Sequence, residues 1–372
     1  MLNMPASTKG TRRSLQGNWR RRFTRGLGAC VVVALHVAPA SAQDNCSLDG
    51  EPLSGEVKYY STGGTYGEAL EAAYFKPFEE ECGVDVIPVS SRRTFDQLVE
   101  MHEAGHYQYD MGSSLGYEFP LGIEKGIYAK LPDNFWEGIS DQMIDEGMSQ
   151  YGAWNSTFSH VLAYSTSLDE GFGENGWSDF WDTETYPGKR SLHDDPRSLV
   201  HALLADGVAP EDIYPIDYDR AFAKMDEIKP EILFWWKAGD QPVQGILNGE
   251  IVASSAFNGR VSARTMAGDP IATSWVGHLF QVGWNVVLEG APNQRNAVAL
   301  LRYMQNPEGQ AKQAEMTQYL GASKAAFDLL PEEVTDVLAS AHLDGKHVVY
   351  DQDWWTANIE DATDRWNKWR AQ

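Results

Sequence analysis

Residues 57–89 read VKYYSTGGTYGEALEAAYFKPFEEECGVDVIPV. Val57 to Tyr60 is a short strand, and Ser61 to Gly67 is a glycine-rich turn. Glu68 to Glu81 reads as a helix, with Ala69, Leu70, Ala73, Phe75 and Phe78 at its apolar positions. Gly83 stops that helix, and Val84 to Val89 is the next strand. Thr94 to Glu103 is a second helix with Phe95, Leu98 and Val99 inward, and Tyr107 to Met111 alternates like a strand. This β-α-β-α-β order predicts a parallel, doubly wound α/β sheet.

That order also decides a motif inside it. Met101 to Tyr107, MHEAGHY, contains H-E-x-x-H. On a helix this spacing puts two imidazoles on one face to bind zinc, with the Glu as general base. Here Gly105 and His106 fall where the helix must end before the strand, so His106 leaves the face of His102. A zinc hydrolase using His102, Glu103 and His106, with a later acid such as Glu124 as third ligand, is the competing enzyme reading. Two surface histidines at a helix end is the expected one, with no catalysis, no metal and no cofactor.

Farther on, Phe158 to Tyr164 is a strand, followed by a Trp/Asp-rich loop. Ser198 to Ala205, Tyr218 to Ile228 and Gln241 to Asn248 are helices. Ile251 to Ala256 is a strand with Phe257 to Arg260 as its loop, and Gly283 to Leu288 is another strand. Asn293 to Gln305, Gly309 to Thr317, Pro331 to Ser340 and Trp354 to Trp369 are helices. No repeat or flexible linker interrupts them. The expected fold is two doubly wound α/β lobes joined by two crossing strands. Residues 43–155 begin lobe 1, 156–282 form lobe 2, and 283–372 return to lobe 1.

Residues 1–42 hold seven Lys/Arg and no acid. The apolar run LGACVVVALHVA (Leu27 to Ala38) and then Ala40-Ser41-Ala42 follow, the order of a secretory signal peptide. Cleavage is expected after Ala42. Arg12-Arg13 leaves a twin-arginine export route open beside the ordinary one. The remaining chain has 23 basic and 53 acidic residues, a net charge of −30. Such a surface is a poor partner for nucleic acid or anionic lipid, and suits a soluble monomer outside the cytoplasm. Cys46 and Cys82 remain once Cys30 leaves with the leader. In an oxidising compartment they are either one disulfide or two unpaired thiols.

In open α/β sheets ligands bind beyond the carboxyl ends of strands. The loops at those ends are Tyr60 to Gly67, Ser113-Ser114, Trp154 to Phe158, Phe257 to Arg260, and Gly283-Trp284. They hold aromatics, small hydroxyls and one cation. The turn STGGTYG lacks the lysine of a phosphate loop, and serves either as a tight βα turn or as a backbone cradle for an oxygen. Arg260 suits bidentate capture of a carboxylate, or a salt bridge to one of the many acids. Asp194-Asp195 and Asp351/Asp353 read as solvated surface pairs.

The chain resembles the periplasmic solute-binding proteins of ABC importers, of the spermidine/putrescine type, which have the type II periplasmic-binding-protein fold. The resemblance rests on YFKPFEEECGVDV, FWDTETYPGKRSLHDDPR, ALLADGVAPEDIYPIDYDRAFAKMDEIKP, NGEIVASSAFNGRV, WNVVLEGAPN and NPEGQAK, in that order. It implies no catalysis, a solute held in the cleft between lobes, and delivery to an ABC permease with its ATPase. A purely sensory role leaves the same sequence marks. Carried over, the ligand contacts are Tyr60, Ser61 and Thr62; Ser113 and Ser114; Trp154, Ser156 and Thr157; Phe257, Asn258 and Arg260; and Trp284. Polyamine-binding relatives use acids to grip ammonium groups. Here Thr62, Arg260 and Gly283 stand where those acids are expected. A cationic ligand would meet Arg260 without a counter-charge. The expected ligand is therefore a carboxylate-bearing amine or amino acid, held by Arg260 and boxed by Tyr60, Trp154 and Trp284.

Overall fold

A computed structural model describes residues 46–61, 63–90 and 94–372. The expected leader and Thr62 lie outside these residues. Nine strands form one mixed sheet: β1 (Glu56–Ser61), β2 (Asp85–Ser90), β3 (Met111–Leu115), β4 (Ala153–Ser165), β5 (Arg190–His193), β6 (Ile232–Trp236), β7 (Ala253–Phe257), β8 (Ile271–Val287) and β9 (Val348–Val349). Their order is β2-β1-β3-β8-β4-β7-β5-β6, with β9 on β8.

That order has an internal symmetry. In the first half β2, β1 and β3 are parallel, and β8 runs antiparallel to β3. In the second half β6, β5 and β7 are parallel, and β4 runs antiparallel to β7. The two antiparallel strands then pair with each other at the centre. Each half is a β-α-β-α-β unit, the arrangement expected from residues 57–111. Each half places its helices on both faces, as a parallel sheet requires.

Several elements differ from the sequence reading. β3 lies at 111–115, because Tyr107 to Asp110 is spent on a loop in which the Asp110 carboxylate accepts from the Lys58 and Asn293 amides. β8 begins twelve residues before the expected Gly283. Its outer stretch, IATSWVGHLFQV, mixes small, polar and apolar residues and so lacks a clear period. β5 and β6 went unread: β5 is only four residues long, and ILFWW resembles a helix fragment as much as a strand. Asn258–Met266 is a helix rather than a loop. The helix expected over 331–340 is two short pieces, Glu332–Thr335 and the 3-10 turn Ala339–His342.

The first helical segment runs Gly64–Leu70, a π turn Glu71–Phe75, and Lys76–Cys82. The π turn sits just before Pro77, whose missing N–H interrupts the α ladder. Gly83 ends the segment at φ 68°. Alternation along β1 feeds two cores. Tyr59 packs with Phe75, Phe78 and Leu300 on one face, and Tyr60 with Phe95, Phe119 and Trp284 on the other. The second half does the same, with Leu192 among Leu199, Leu203 and Met225, and Val161 among Val243, Ile246 and Val261. In the last helix, Gln352–Arg370, Trp355, Ala362, Trp366 and Trp369 recur at helical spacing and pack into the Leu199–Met225 core. That helix packs on the second half through its tryptophans, and its Gln352 and Thr356 side chains donate to the Gly116 and Tyr117 carbonyls of the first half.

Cys46 and Cys82 form a disulfide, which ties the start of the described chain to the end of the first helical segment. Both cysteines are buried in the first-half core. Closing a loop of 36 residues stabilises the fold by about 3–4 kcal/mol through the unfolded chain. The double variant C46A/C82A is expected to lose that amount in urea unfolding; an unchanged midpoint would show that the bond contributes nothing.

Candidate functional site

The parallel strands all end at one place. β3 pairs with β8 only from Gly283 onward, and β7 pairs with β4 only from His160 onward. Between these contacts, Thr157 to Ser159 on β4 face Phe280 to Val282 on β8. This short antiparallel ribbon is the middle of the β4–β8 pairing, which runs from Ala153/Asn285 to Ser165/Ile271. The carboxyl ends of β1, β3, β5 and β7 converge on it. Register shifts at Trp154/Ser156 and His160/Leu162 flank it.

On the first-half side, Ser61 is buried, and its Oγ accepts from the Gly63 N–H at 3.2 Å. Ser113 sits in a polar network. Asn155 Nδ2 donates to Ser113 Oγ at 3.0 Å and to Asn285 Oδ1 at 2.8 Å, and the Tyr59 hydroxyl also donates to Asn285. Ser156 Oγ donates to Asn155 Oδ1 at 2.7 Å. Ser113 also hydrogen-bonds Tyr66, whose phenol burial holds well above its ordinary pKa. Thr157 Oγ1 donates to the Leu320 carbonyl, and Ser114 Oγ lies 2.9 Å from the Tyr128 hydroxyl inside the core.

The expected aromatic box is not built as anticipated. Tyr60, Trp154 and Trp284 belong to one core cluster with Phe119, Tyr128 and Met143. Trp284 stacks on Phe119 at 3.9 Å and 5°, and meets Trp154 edge-on at 6.0 Å. The reason is strand alternation: Gly283 faces Asn155, Ser156 and Leu115, so its neighbour Trp284 turns to the opposite face.

The rings beside Arg260 are others. Phe158, from the crossing, meets Phe257 at 5.9 Å and Tyr319 at 6.2 Å, and Tyr319 meets Tyr66 at 6.4 Å. Tyr319 feels Arg260 directly; burial raises its pKa to about 12, against the lowering effect of that guanidinium. Arg260 lies in the first turn of its helix, 3.5 Å from Asp240, whose side chain is 70% exposed. Asn258 is fully buried and accepts from the Ser159 N–H at 2.9 Å, so it anchors the helix start to the crossing.

The loop after β5 was missed together with its strand. Asp195 there grips Arg197 at 2.6 and 2.9 Å, and Arg197 Nη1 donates to Gln281 on the crossing. Burial acts against the Asp195 carboxylate, but Arg197 holds its pKa well below the usual range. Asp194 is not solvated either: it accepts from Trp366, Arg370 and Lys237. Three histidines lie behind this pair. His160 is 5.3 Å from His193 and 6.1 Å from His201. Burial lowers His193 to about 4 and His201 to about 3, and holds His160 well below its ordinary value too.

The H-E-x-x-H stretch builds no centre. Phe95–Glu103 is the helix, Gly105 turns left-handed at φ 60°, and His102 Nδ1 lies 2.9 Å from the Tyr107 hydroxyl. Among the described residues no group of three or more His, Cys, Asp or Glu is arranged to hold a metal, and no helix is long and apolar enough to cross a membrane.

Residues 73–341 match the family model described as bacterial extracellular solute-binding protein. The chain belongs to this family. It is 34% identical over 322 residues to a γ-aminobutyric acid-binding protein of Pseudomonas aeruginosa, covering 84% of this chain and 90% of that one. An ABC transporter substrate-binding protein from Bradyrhizobium japonicum superposes with a TM-score of 0.77 at 30% identity, over 85% and 99% of the two chains. A structure described as a GABA receptor reaches the same TM-score at 28% identity, over 85% and 98%. The protein is thus the solute-binding component of an ABC transporter, and the hydrolase alternative finds no support. The Pseudomonas aeruginosa relative is named for a different ligand from the expected spermidine/putrescine type.

The buried histidines of this solute-binding protein make its stability depend on pH. Unfolded, each takes up a proton near pH 6.5; folded, they stay neutral down to about 4 for His193 and 3 for His201. Their contribution is complete above 6.5 and is withdrawn as pH falls from there. The slope is about 1.4 kcal/mol per pH unit for each titrating group. His201 stacks on Trp177 at 3.9 Å and neither ring nitrogen has a partner. The variant H201F is expected to flatten the stability–pH curve between 6 and 4 by one proton's slope in urea unfolding. An unchanged slope would show that His201 does not titrate on unfolding.

Proposed function

We propose that this protein captures a small ω-amino acid, of the γ-aminobutyric acid type, between its two α/β halves and hands it to an ABC permease. Arg260 receives the carboxylate. The ligand's chain lies along Phe158, Phe257 and Tyr319, and its ammonium end faces the hydroxyls of Tyr66, Ser61 and Ser113. The proposed lobes are residues 43–155 with the return segment 283–372, and residues 156–282. The proposed route is export by the cleaved leader, with a monomer working in the periplasm and no catalysis.

The observation that carries this reading is the contrast between the two arginines. Arg197 is held bidentately by Asp195 in a pair three-quarters buried. Breaking such a pair costs roughly 3 kcal/mol. Among the described residues Arg260 pairs with Asp240 at 3.5 Å; the arginine is about as buried as Arg197, but that acid is largely exposed. A pair whose acid keeps its hydration contributes little, about 1 kcal/mol, so a ligand carboxylate displaces or joins it at little cost. A cation at the strand ends with a weak counter-ion selects a carboxylate. A polyamine has none to offer. The name of the Pseudomonas aeruginosa relative supports the same class.

The test is calorimetric titration of unfolded-and-refolded protein with 4-aminobutanoate, putrescine and spermidine. Binding of 4-aminobutanoate alone is expected, and R260A should weaken it by about 100-fold, the cost of a lost charge-paired contact. Binding of putrescine but not 4-aminobutanoate, or an R260A variant with unchanged affinity, would reject the assignment.

A further inference from the structure

Tyr319 reaches the crossing by a costly route. The helix Pro307–Thr317 ends in Gln318, which adopts φ 57°. Among the described residues it alone, apart from glycine, has a positive φ. Left-handed backbone disfavours side chains, and glycine usually fills this helix-end position. Here the conformation is over-determined. The Gln318 N–H donates to the Ala314 carbonyl at 2.8 Å, and its side-chain amide to the Glu315 carbonyl at 2.9 Å. The sharp turn sends the next residue away from its own helix.

Tyr319 is then gripped from three directions. Tyr66 stands on the first half, Phe158 on the crossing, and Gly259 on the second half. The Gly259 backbone hydrogen-bonds the phenol oxygen. A Cβ on Gly259 would fall 2.6 Å from Tyr319 Cζ and 2.2 Å from the Thr317 carbonyl oxygen. Only glycine allows this approach. The ring is therefore fixed, mostly buried, and adjacent to Arg260. Strain of this kind concentrates at ligand clamps.

We infer that Tyr319 is the specificity-determining residue that sets the length of the ligand. This rests on Arg260 holding the carboxylate. A chain that starts on Arg260 must pass the Tyr319 ring before reaching Tyr66 and Ser113, and an immobile ring fixes how many methylenes fit in between. A pocket wall that cannot move discriminates one methylene by a factor of about 10 or more.

The experiment measures affinities of the refolded full-length mature protein for 4-aminobutanoate, 5-aminopentanoate and 6-aminohexanoate. Wild type is expected to prefer 4-aminobutanoate over 6-aminohexanoate by about tenfold or more. Y319A should shift that ratio by about tenfold toward the longer acid, while Y319F, which keeps the ring, should leave it within about twofold. Where thermal melts show Y319A unfolded, Y319L carries the same comparison. Equal weakening for all three acids would mean that Tyr319 only supports packing, and would overturn the inference. The variant R260Q separates the two layers. If R260Q binds all three as wild type does, the carboxylate assignment falls and length selection falls with it. If R260Q loses binding but the Tyr319 variants keep the wild-type ratio, only the length inference falls.

Discussion

The antiparallel pairing of β4 with β8 is the constraint on which everything else depends. These two strands are long, 13 and 17 residues, because each must serve a half at one end and its partner at the other. β8 completes the first half, β4 completes the second, and their shared middle is the ribbon at 157–159 and 280–282. The middle is fastened on the first-half side by hydrogen bonds among Asn155, Asn285, Ser113 and Tyr59. Buried polar groups of this kind specify one register, because a slip of one residue would leave several of them unpaired. On the second-half side Asn258 performs the same task through the Ser159 amide. One irregularity in the ladder falls at Asn155 itself and the other just beyond Ser159, where a β-bulge lets a strand bend without losing its register.

Electrostatics then distinguishes residues that the sequence leaves equivalent. The chain is strongly acidic, so any arginine has carboxylates within reach. The two side chains are about equally buried, so what separates Arg197 from Arg260 is the desolvation of the partner acid. The Asp195–Arg197 pair is shielded from water and hydrogen-bonded on both oxygens, and it acts as a fixed neutral unit beside three neutral histidines. Asp240, facing Arg260, keeps its hydration and gives little in return. Net charge carries no information about this difference.

The fold was largely legible because residues 57–111 carry both signals it needs: helical periodicity and glycine stops between short apolar runs. The disulfide partners were legible too, since only two cysteines remain beyond the expected leader. What the sequence hid was short or two-faced. β5 has four residues, and with it went Asp195 and Arg197, although the quoted stretch GKRSLHDDPR contained both. β8 is buried on both faces along much of its length, and so alternates between polar and apolar only weakly. Tyr66 and Tyr319 lacked any local mark. Tyr66 lay inside a turn read for its glycines. Tyr319 lies far along the chain, and the close approach of Gly259 and the neighbouring Arg260 tie it to the β7 end.

Aromatic residues at the crossing show why identity alone misleads. Trp154 and Trp284 offer the largest rings near the expected site, and both are absorbed by stacking on the first-half core. Burying such a side chain contributes roughly 2–3 kcal/mol, and a strand that alternates must send every second residue to that fate. The ring that borders Arg260 is instead placed by a helix ending and a glycine contact, neither of which follows strand alternation. A side chain held by backbone geometry from outside the sheet is free of the sheet's packing demands. It can keep part of its surface open where a solute must touch it without taking that surface from the core.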